Sequence, residues 1–263
     1  MDKQVSEPPT VPAGCRRCAV RHLTVCQPLK AERLEIVQNF KNGDRVLPAG
    51  SQLYRPGSGS PCPELYNLLA GWVSLYRVLE SGRCQILGFA LPGAFLGFQP
   101  DLHGPMLHGA ECITDVAVCV FRRRPFPALI ERHRGLAVRL AQMSAQDAIY
   151  AHDNLTNIGA RQARARVAYL LRELYLRLNG GEIETANQEV EIPLTQTHLA
   201  DALGLTSVYV SVTLRQLREE GLLSFRKRRL RILDPVGLAA VADYDGEIVA
   251  QKILPWDRRA VGS

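Results

Sequence analysis

The stretch Thr195–Leu223, TQTHLADALGLTSVYVSVTLRQLREEGLL, constrains this chain more than any other. Leu199, Ala200, Leu203 and Leu205 fall at the spacing of one helix face, and Val210, Leu214 and Leu217 repeat the pattern further on. Thr195 and Thr206 each precede such a run, where a hydroxyl can accept from an orphan backbone N–H. Gly204 stands between the runs, where a helix end needs a left-handed residue, and Gly221 follows the second run. Two short helices joined at a tight glycine turn form a helix-turn-helix. Its second helix, from about Ser207 to Glu219, is the one that enters the major groove when such a motif binds DNA. An ordinary helical hairpin in a core is the competing reading, and the two caps, the turn glycine and the following residues favour the DNA-binding form.

Those residues are LLSFRKRRLRILDP. Leu222–Phe225 reads as a strand, Arg226, Lys227, Arg228 and Arg229 as a basic turn, and Leu230–Leu233 as a returning strand. A helix-turn-helix followed by a basic hairpin is a winged helix, whose tip would lie against phosphates and add affinity without sequence preference. On the helix itself Thr206, Ser207, Val208, Tyr209, Ser211, Val212 and Arg215 are the residues expected to face DNA. With Arg226, Lys227 and Arg228 they make up the expected interface. The charge balance agrees mildly: 32 Lys+Arg against 26 Asp+Glu leave a net charge of +6, which suits a polyanionic partner.

With 263 residues the chain has room for two domains. No apolar run approaches the roughly 20 residues that span a bilayer. The N-terminus MDKQVSEPPTVPAG has no signal-peptide shape, so a cytoplasmic location is expected. Residues 1–14, with Pro8, Pro9 and Pro12, read as disordered. In a cytoplasmic chain the seven cysteines point to metal or redox chemistry rather than to disulfides. Three of them, Cys15, Cys18 and Cys26, fall in CRRCAVRHLTVC, where a wrapped loop can bring three thiolates to one soft metal centre. The fourth ligand is left open by spacing alone. His22 would complete a zinc set, and a distant cysteine would complete the all-thiolate set of an iron–sulfur cluster.

Leu34, Val37 and Phe40 place a helix within Leu29–Phe40. From about Val46 to Phe126 the pattern changes to short runs of Leu, Val, Tyr and Phe punctuated by glycines, which implies a β-barrel or roll. Pro127–Asn157 reads as one helix with a small-residue stripe at Ala145, Ala148 and Ala151, a natural dimer seam between two domains. Arg161–Leu178 is a further amphipathic helix. The expected class is α+β: an N-terminal arm with the cysteine motif over 1–30, a β-roll sensor over 31–135, a dimerisation helix over 136–158, a winged helix-turn-helix domain over 159–245 and a tail over 246–263. No Ser/His/Asp order, phosphate loop or carboxylate pair suggests an enzyme.

In this order stand YNLLAGWVSLYRVLESGRCQILGFALPGAFLG and LTQTHLADALGLTSVYVSVTLRQLREEGLL. Over roughly residues 15–240 the chain resembles the CRP/FNR family of bacterial transcription regulators. Its cysteine motif resembles that of the oxygen-sensing FNR branch. The resemblance implies a homodimer that binds a near-palindromic DNA site and works with RNA polymerase. It also implies a [4Fe-4S] cluster held by Cys15, Cys18, Cys26 and Cys119, rather than by Cys112, whose loss to oxygen releases DNA. Two departures stand out. The Gly-Glu and Arg-Ser of the cyclic-AMP members are not matched in PGAFLGFQPDLHGPMLHGAE, where Ala94 takes an acidic position, so no cyclic nucleotide is expected. In the recognition helix Val208 and Val212 stand where family members commonly carry a Glu and an Arg. The alternative is a zinc-bound or cluster-free regulator of the same fold, constitutive or acting through a protein partner.

Overall fold

The computed structural model describes residues 9–11, 14–30, 34–57, 62–101, 103–180 and 188–244. The expected tail over 246–263 and most of the expected disordered stretch 1–14 lie outside these. The chain divides into two compact units, Met1–Asp147 and Ala148–Ser263.

In the first unit a single 3₁₀ turn at Cys15–Arg17 opens the cysteine arm. The short helix α1 (Leu34–Phe40) follows, and Leu34 and Val37 are its buried residues. Eight strands come next: β1 (Lys41–Leu47), β2 (Gln52–Tyr54), β3 (Glu64–Ala70), β4 (Val73–Val78), β5 (Cys84–Ala90), β6 (Phe95–Leu96), β7 (Gly109–Cys112) and β8 (Val116–Arg122). They form two four-stranded sheets, ordered β1-β8-β3-β6 and β2-β7-β4-β5, and the pairings are antiparallel. The expected β-roll is therefore present, with its strand chemistry as read from the sequence.

Side chains alternate across the first sheet, as the period of a strand dictates. Tyr66 and Leu68 of β3 and Val116, Val118 and Val120 of β8 join Leu53, Val73, Ala110 and Cys112 of the other sheet in one buried cluster. Leu65 and Leu69 of β3 and Ala117, Cys119 and Phe121 of β8 belong to a second cluster, with Val25 and Leu29 of the arm and Leu34 and Val37 of α1. Helix α2 (Phe126–Arg132) contributes Phe126 and Leu129 to it, and helix α3 (Arg134–Ala160) contributes Leu136 and Leu140.

The single helix expected over Pro127–Asn157 is thus two. The break falls at His133, whose φ of −133° and ψ of 81° leave the helical region and whose N–H closes α2 onto the Ile130 carbonyl. Gly135 lies just beyond, and a Cβ there would come 3.3 Å from Cβ of Pro28, so the bend lets the arm sit against the start of α3. The boundary between the two units falls inside α3.

The second unit holds the rest of α3, then α4 (Ala163–Leu178), β9 (Val190–Glu191), α5 (Gln196–Leu203), α6 (Ser207–Glu219), β10 (Leu223–Arg226), β11 (Arg229–Ile232) and α7 (Pro235–Val241). The helix-turn-helix, α5 and α6, has the expected limits. Strand β9 adds a third member to the wing, in the order β10-β11-β9. It was not legible in the sequence, being only two residues long, and neither was α7, which starts at Pro235 behind the capping carboxylate of Asp234. No helix among the described residues is long and apolar enough to cross a membrane.

Candidate functional site

Two sites were expected, a DNA-facing surface and a cysteine cluster. Local chemistry builds the first. Thr195 Oγ1 accepts from the His198 N–H while the Thr195 N–H donates to His198 Nδ1, so α5 starts in a reciprocal capping box with a histidine in the usual Glu position. Gly204 ends α5 in the left-handed region at φ 65°, and Thr206 Oγ1 then accepts from the Tyr209 N–H to start α6. Val210, Thr213, Leu214 and Leu217 of α6 turn inward. The opposite ridge, Val208, Ser211, Val212 and Arg215, is exposed, and so are Ser207 and Tyr209. The seven expected residues of the helix and its cap therefore stand at the surface, with the Thr206 hydroxyl engaged as a cap.

The wing differs in detail from expectation. Arg226 and Arg229 pair with each other in the strands, so the turn is only Lys227-Arg228 and not the whole of Arg226–Arg229. Both turn residues have positive φ, 51° and 63°. Such a two-residue turn matches the right-handed twist of the strands it joins. It holds both cationic side chains at the tip, where they are exposed. A groove of about 440 Å³ between α6 and the wing is lined by Gln196, Ser211, Val212, Arg215, Arg218, Lys227 and Arg228 among others. Gln196 and Arg218 were not singled out from the sequence. Arg218 lies three residues beyond Arg215, a spacing that could have marked it as a neighbour on the same side. Glu189 pairs with Arg229 and Arg231, and Arg164 with Glu220. Among the described residues no carboxylate pairs with Arg215, Arg218, Lys227 or Arg228, which leaves the groove cationic.

At the second site Cys15, Cys18, Cys26 and Cys119 line one cavity, with Arg21, Thr24, Lys41, Asp44 and Asn67. The arm supplies three thiols and the sheet wall supplies the fourth. On that wall Cys119 of β8 stands directly between Asp44 of β1 and Asn67 of β3. Cys112 and Cys62 sit instead in the cluster between the sheets. Cys84 is exposed on β5. His22 is exposed and does not line the cavity, so the zinc set that would have used it is not assembled.

The arm is held from two directions and braced within itself. Arg139 of α3 donates from Nη2 to the Leu23 carbonyl at 2.9 Å and from Nε to the Thr24 carbonyl at 3.3 Å. The β5–β6 turn meets it at Gly93, where an added Cβ would come 2.6 Å from Cβ of Leu23. The Cys26 N–H donates to Thr24 Oγ1 at 3.2 Å.

Burial governs three of the four thiols. Burial pushes the Cys26 thiol up to about 12, and Cys15 and Cys18 add to the rise. Burial also raises the Cys119 thiol above its ordinary value, with Lys41 opposing and Asp44 and Cys26 assisting. Burial raises Cys18 likewise. Thiols in this state are protonated at neutral pH, and a bound metal centre would have to release their protons. Asn67 Nδ2 points at Cys26 Sγ from 3.8 Å, the orientation a thiolate would favour, while Asn67 Oδ1 and Asp44 Oδ1 are buried without a hydrogen-bond partner. Lys41 Nζ bonds Asp44 Oδ2 at 2.5 Å on the same wall. Among the described residues no three His, Cys, Asp or Glu side chains converge on a single ion. A single ion needs its donors at one point, whereas a four-iron cluster takes one thiolate at each of four separated corners. The four thiols line one cavity with about 20 Å³ of free space.

Residues 165–241 match the Crp-like helix-turn-helix domain and residues 44–133 the cyclic nucleotide-binding domain. The chain is 34% identical over 232 residues to the nitrogen fixation regulation protein FixK of Bradyrhizobium diazoefficiens, covering 87% of this chain and 93% of that one. It is 28% identical to the transcriptional activator protein FnrL of Cereibacter sphaeroides, covering 92% and 96%. The structure of FixK2 from Bradyrhizobium japonicum superposes with a TM-score of 0.66 at 26% identity, covering 75% of this chain and 96% of that one. These relatives are transcription regulators, not enzymes, by their names. With a roll, a long helix and a capped helix-turn-helix in this order, and with relatives of this identity and coverage, the chain belongs to the CRP/FNR family of DNA-binding transcription regulators.

Proposed function

We propose that this regulator is switched by an oxygen-labile [4Fe-4S] cluster and controls genes of low-oxygen metabolism from the cytoplasm. The observation that carries the reading is the meeting of Cys15, Cys18, Cys26 and Cys119 around one cavity. Cys119, and not Cys112, is the sheet thiol on that face. Bound there, a cluster would supply an oxygen-labile cross-link between arm and sheet. The chain's own part is mechanical. Arg139 grips the arm by its carbonyls, so an arm tied to β8 also steadies the start of α3.

Beyond its start α3 exposes Ala148, Ala151 and Leu155 on one side, an apolar and small-residue face suited to a second copy of the chain. Two copies would present two α6 helices to a near-palindromic site. RNA polymerase is the further partner of this reading. No cyclic nucleotide is needed. Gln99 Nε2 donates to the carbonyls of Asp101 and Pro105, and Arg123 to those of Cys62 and Asp101, so these polar groups are engaged within the roll.

The test is anaerobic purification, with a visible spectrum and counts of iron and sulfide, followed by DNA binding and sedimentation before and after air. About four irons per chain, with DNA affinity lost in air, are expected. Cys15→Ala, Cys18→Ala, Cys26→Ala and Cys119→Ala should each lose the iron, and Cys62→Ala, Cys84→Ala and Cys112→Ala should keep it. Zinc without iron, or colourless protein that binds DNA equally well in air, would instead establish a zinc-bound or cluster-free regulator.

A further inference from the structure

We infer that α6 reads the 5-methyl groups of thymine through Val208 and Val212, an inference that rests on the DNA-binding reading of this helix. Val208 is 72% exposed and Val212 38% exposed. They stand four residues apart on the outward ridge, with Ser211 between them and Arg215 one turn on. The inward residues Val210, Leu214 and Leu217 already supply the apolar face that packs the helix. Two further β-branched residues at exposed positions add no packing and cost helix propensity. The groove that Val212 lines, with Arg215, Arg218, Lys227 and Arg228, fits a polyanion rather than an apolar protein surface.

In the major groove of DNA the base edges present donors and acceptors, and thymine alone adds an apolar group, its methyl. Valine has neither donor nor acceptor. Against the cytosine amino group or the guanine carbonyl it would displace water and return no bond, which costs affinity. Against a thymine methyl it gains contact on both sides. The same two side chains thus favour T·A pairs and penalise G·C pairs. Four residues of helix rise span about 6 Å, close to two base steps of about 3.4 Å each. The two thymines should therefore lie within about two base pairs of each other. Val208 is the second residue of α6, and the first turns of a recognition helix are the ones that reach base edges.

The experiment uses the full-length protein, prepared anaerobically, and 30-base-pair duplexes selected by it from a random pool. Each thymine of the selected half-site is then replaced singly by uracil, which keeps every base-pairing group and removes only the methyl. Binding is read by fluorescence anisotropy. The loss of one buried methyl contact corresponds to about a fourfold weakening. We expect that weakening at one or two adjacent thymines, and expect it to vanish in Val208→Ala or Val212→Ala, each at its own position. Uracil duplexes bound as tightly as thymine duplexes, a selected site without neighbouring T·A pairs, or a uracil effect unchanged in both variants would each overturn the inference while leaving DNA binding intact. Absence of any selective DNA binding would overturn the DNA-binding reading and this inference together.

Discussion

The wing turn sets stability against DNA affinity, and replacing Lys227-Arg228 by Asn-Gly should separate the two. Both residues sit in the left-handed region, at φ 51° and 63°. That region costs an ordinary L-residue roughly 1–2 kcal/mol, so the pair carries about 2–4 kcal/mol of backbone strain. Asn tolerates the conformation and glycine adopts it freely, but glycine returns about 0.5–1 kcal/mol through its looser unfolded chain. The net expectation is a gain of about 1–2 kcal/mol, visible as a higher denaturation midpoint of the C-terminal unit in urea or heat. The same change deletes two cations from the tip. If both lie on phosphates, the slope of log affinity against log salt should flatten by about 1.8 for each protomer. Lys227→Gln with Arg228→Gln is the control, since it removes the charges and keeps the strained turn. It should flatten the slope without the gain in stability. An unchanged midpoint in the Asn-Gly variant would refute the strain argument, and an unchanged salt slope would refute the placement of the tip on phosphate.

Gly71→Ala should destabilise the first unit by about 2 kcal/mol or more, because φ is +86° and the new Cβ would meet the Asp115 carbonyl at 2.4 Å, a backbone atom that cannot swing aside. Gly82→Ala, at φ +79° with nothing within 4 Å, should cost only the backbone share of about 1 kcal/mol, and equal losses in a denaturation series would contradict this. Ala148→Glu lies on the exposed face of α3 and should leave the fold intact while sedimentation shows monomer under anaerobic conditions. A persistent dimer would place the seam elsewhere. Burial alone would raise the Glu64 carboxyl, but its hydrogen bonds from Arg45, Tyr66 and Asn42 outweigh this and hold it below its ordinary value. Its stabilising share is therefore complete above the unfolded carboxyl pKa and disappears as pH falls through the depressed folded one. Glu64→Gln should flatten that acid limb of stability against pH.

The helix-turn-helix was legible nearly to the residue because each local choice agreed with the others. Thr206 as cap, Gly204 as left-handed end and Val210, Leu214 and Leu217 as one face all point to the same α6. The β-roll was legible as a class, since glycines mark its turns, but not as two sheets of four strands. Strand order depends on pairings between residues as distant as Asp44 and Cys119, which no local pattern carries. The break at His133 escaped for the same reason, as it serves a contact between Gly135 and Pro28 more than a hundred positions apart. At the cysteine site the arm motif was visible in its spacing, while the choice of Cys119 came from family resemblance. The walls of the cavity, Lys41, Asp44 and Asn67, were invisible because each is ordinary in its own strand. In the wing the charge is legible and the turn is not, because Lys227-Arg228 lacks the Asn-Gly signal that the geometry prefers.

The alternation along β8 also limits where a thiol facing the arm could ever arise. Val116, Val118 and Val120 are committed to the space between the sheets, and Ala117, Cys119 and Phe121 look toward the arm. A strand offers its two sides as fixed addresses, so a cysteine moved by one residue would be sealed inside the roll. Moved by two, it would still face the arm, but away from Asp44 and Asn67, its partners across the neighbouring strands. A single-residue insertion just ahead of Val116 would turn all six side chains over at once, trading the thiol for a valine and the valines for a thiol and two misfits. Mutation can thus move a cysteine along this wall only in whole strand periods, whereas the arm, which is not paired into a sheet, places no such constraint on the spacing of Cys15, Cys18 and Cys26.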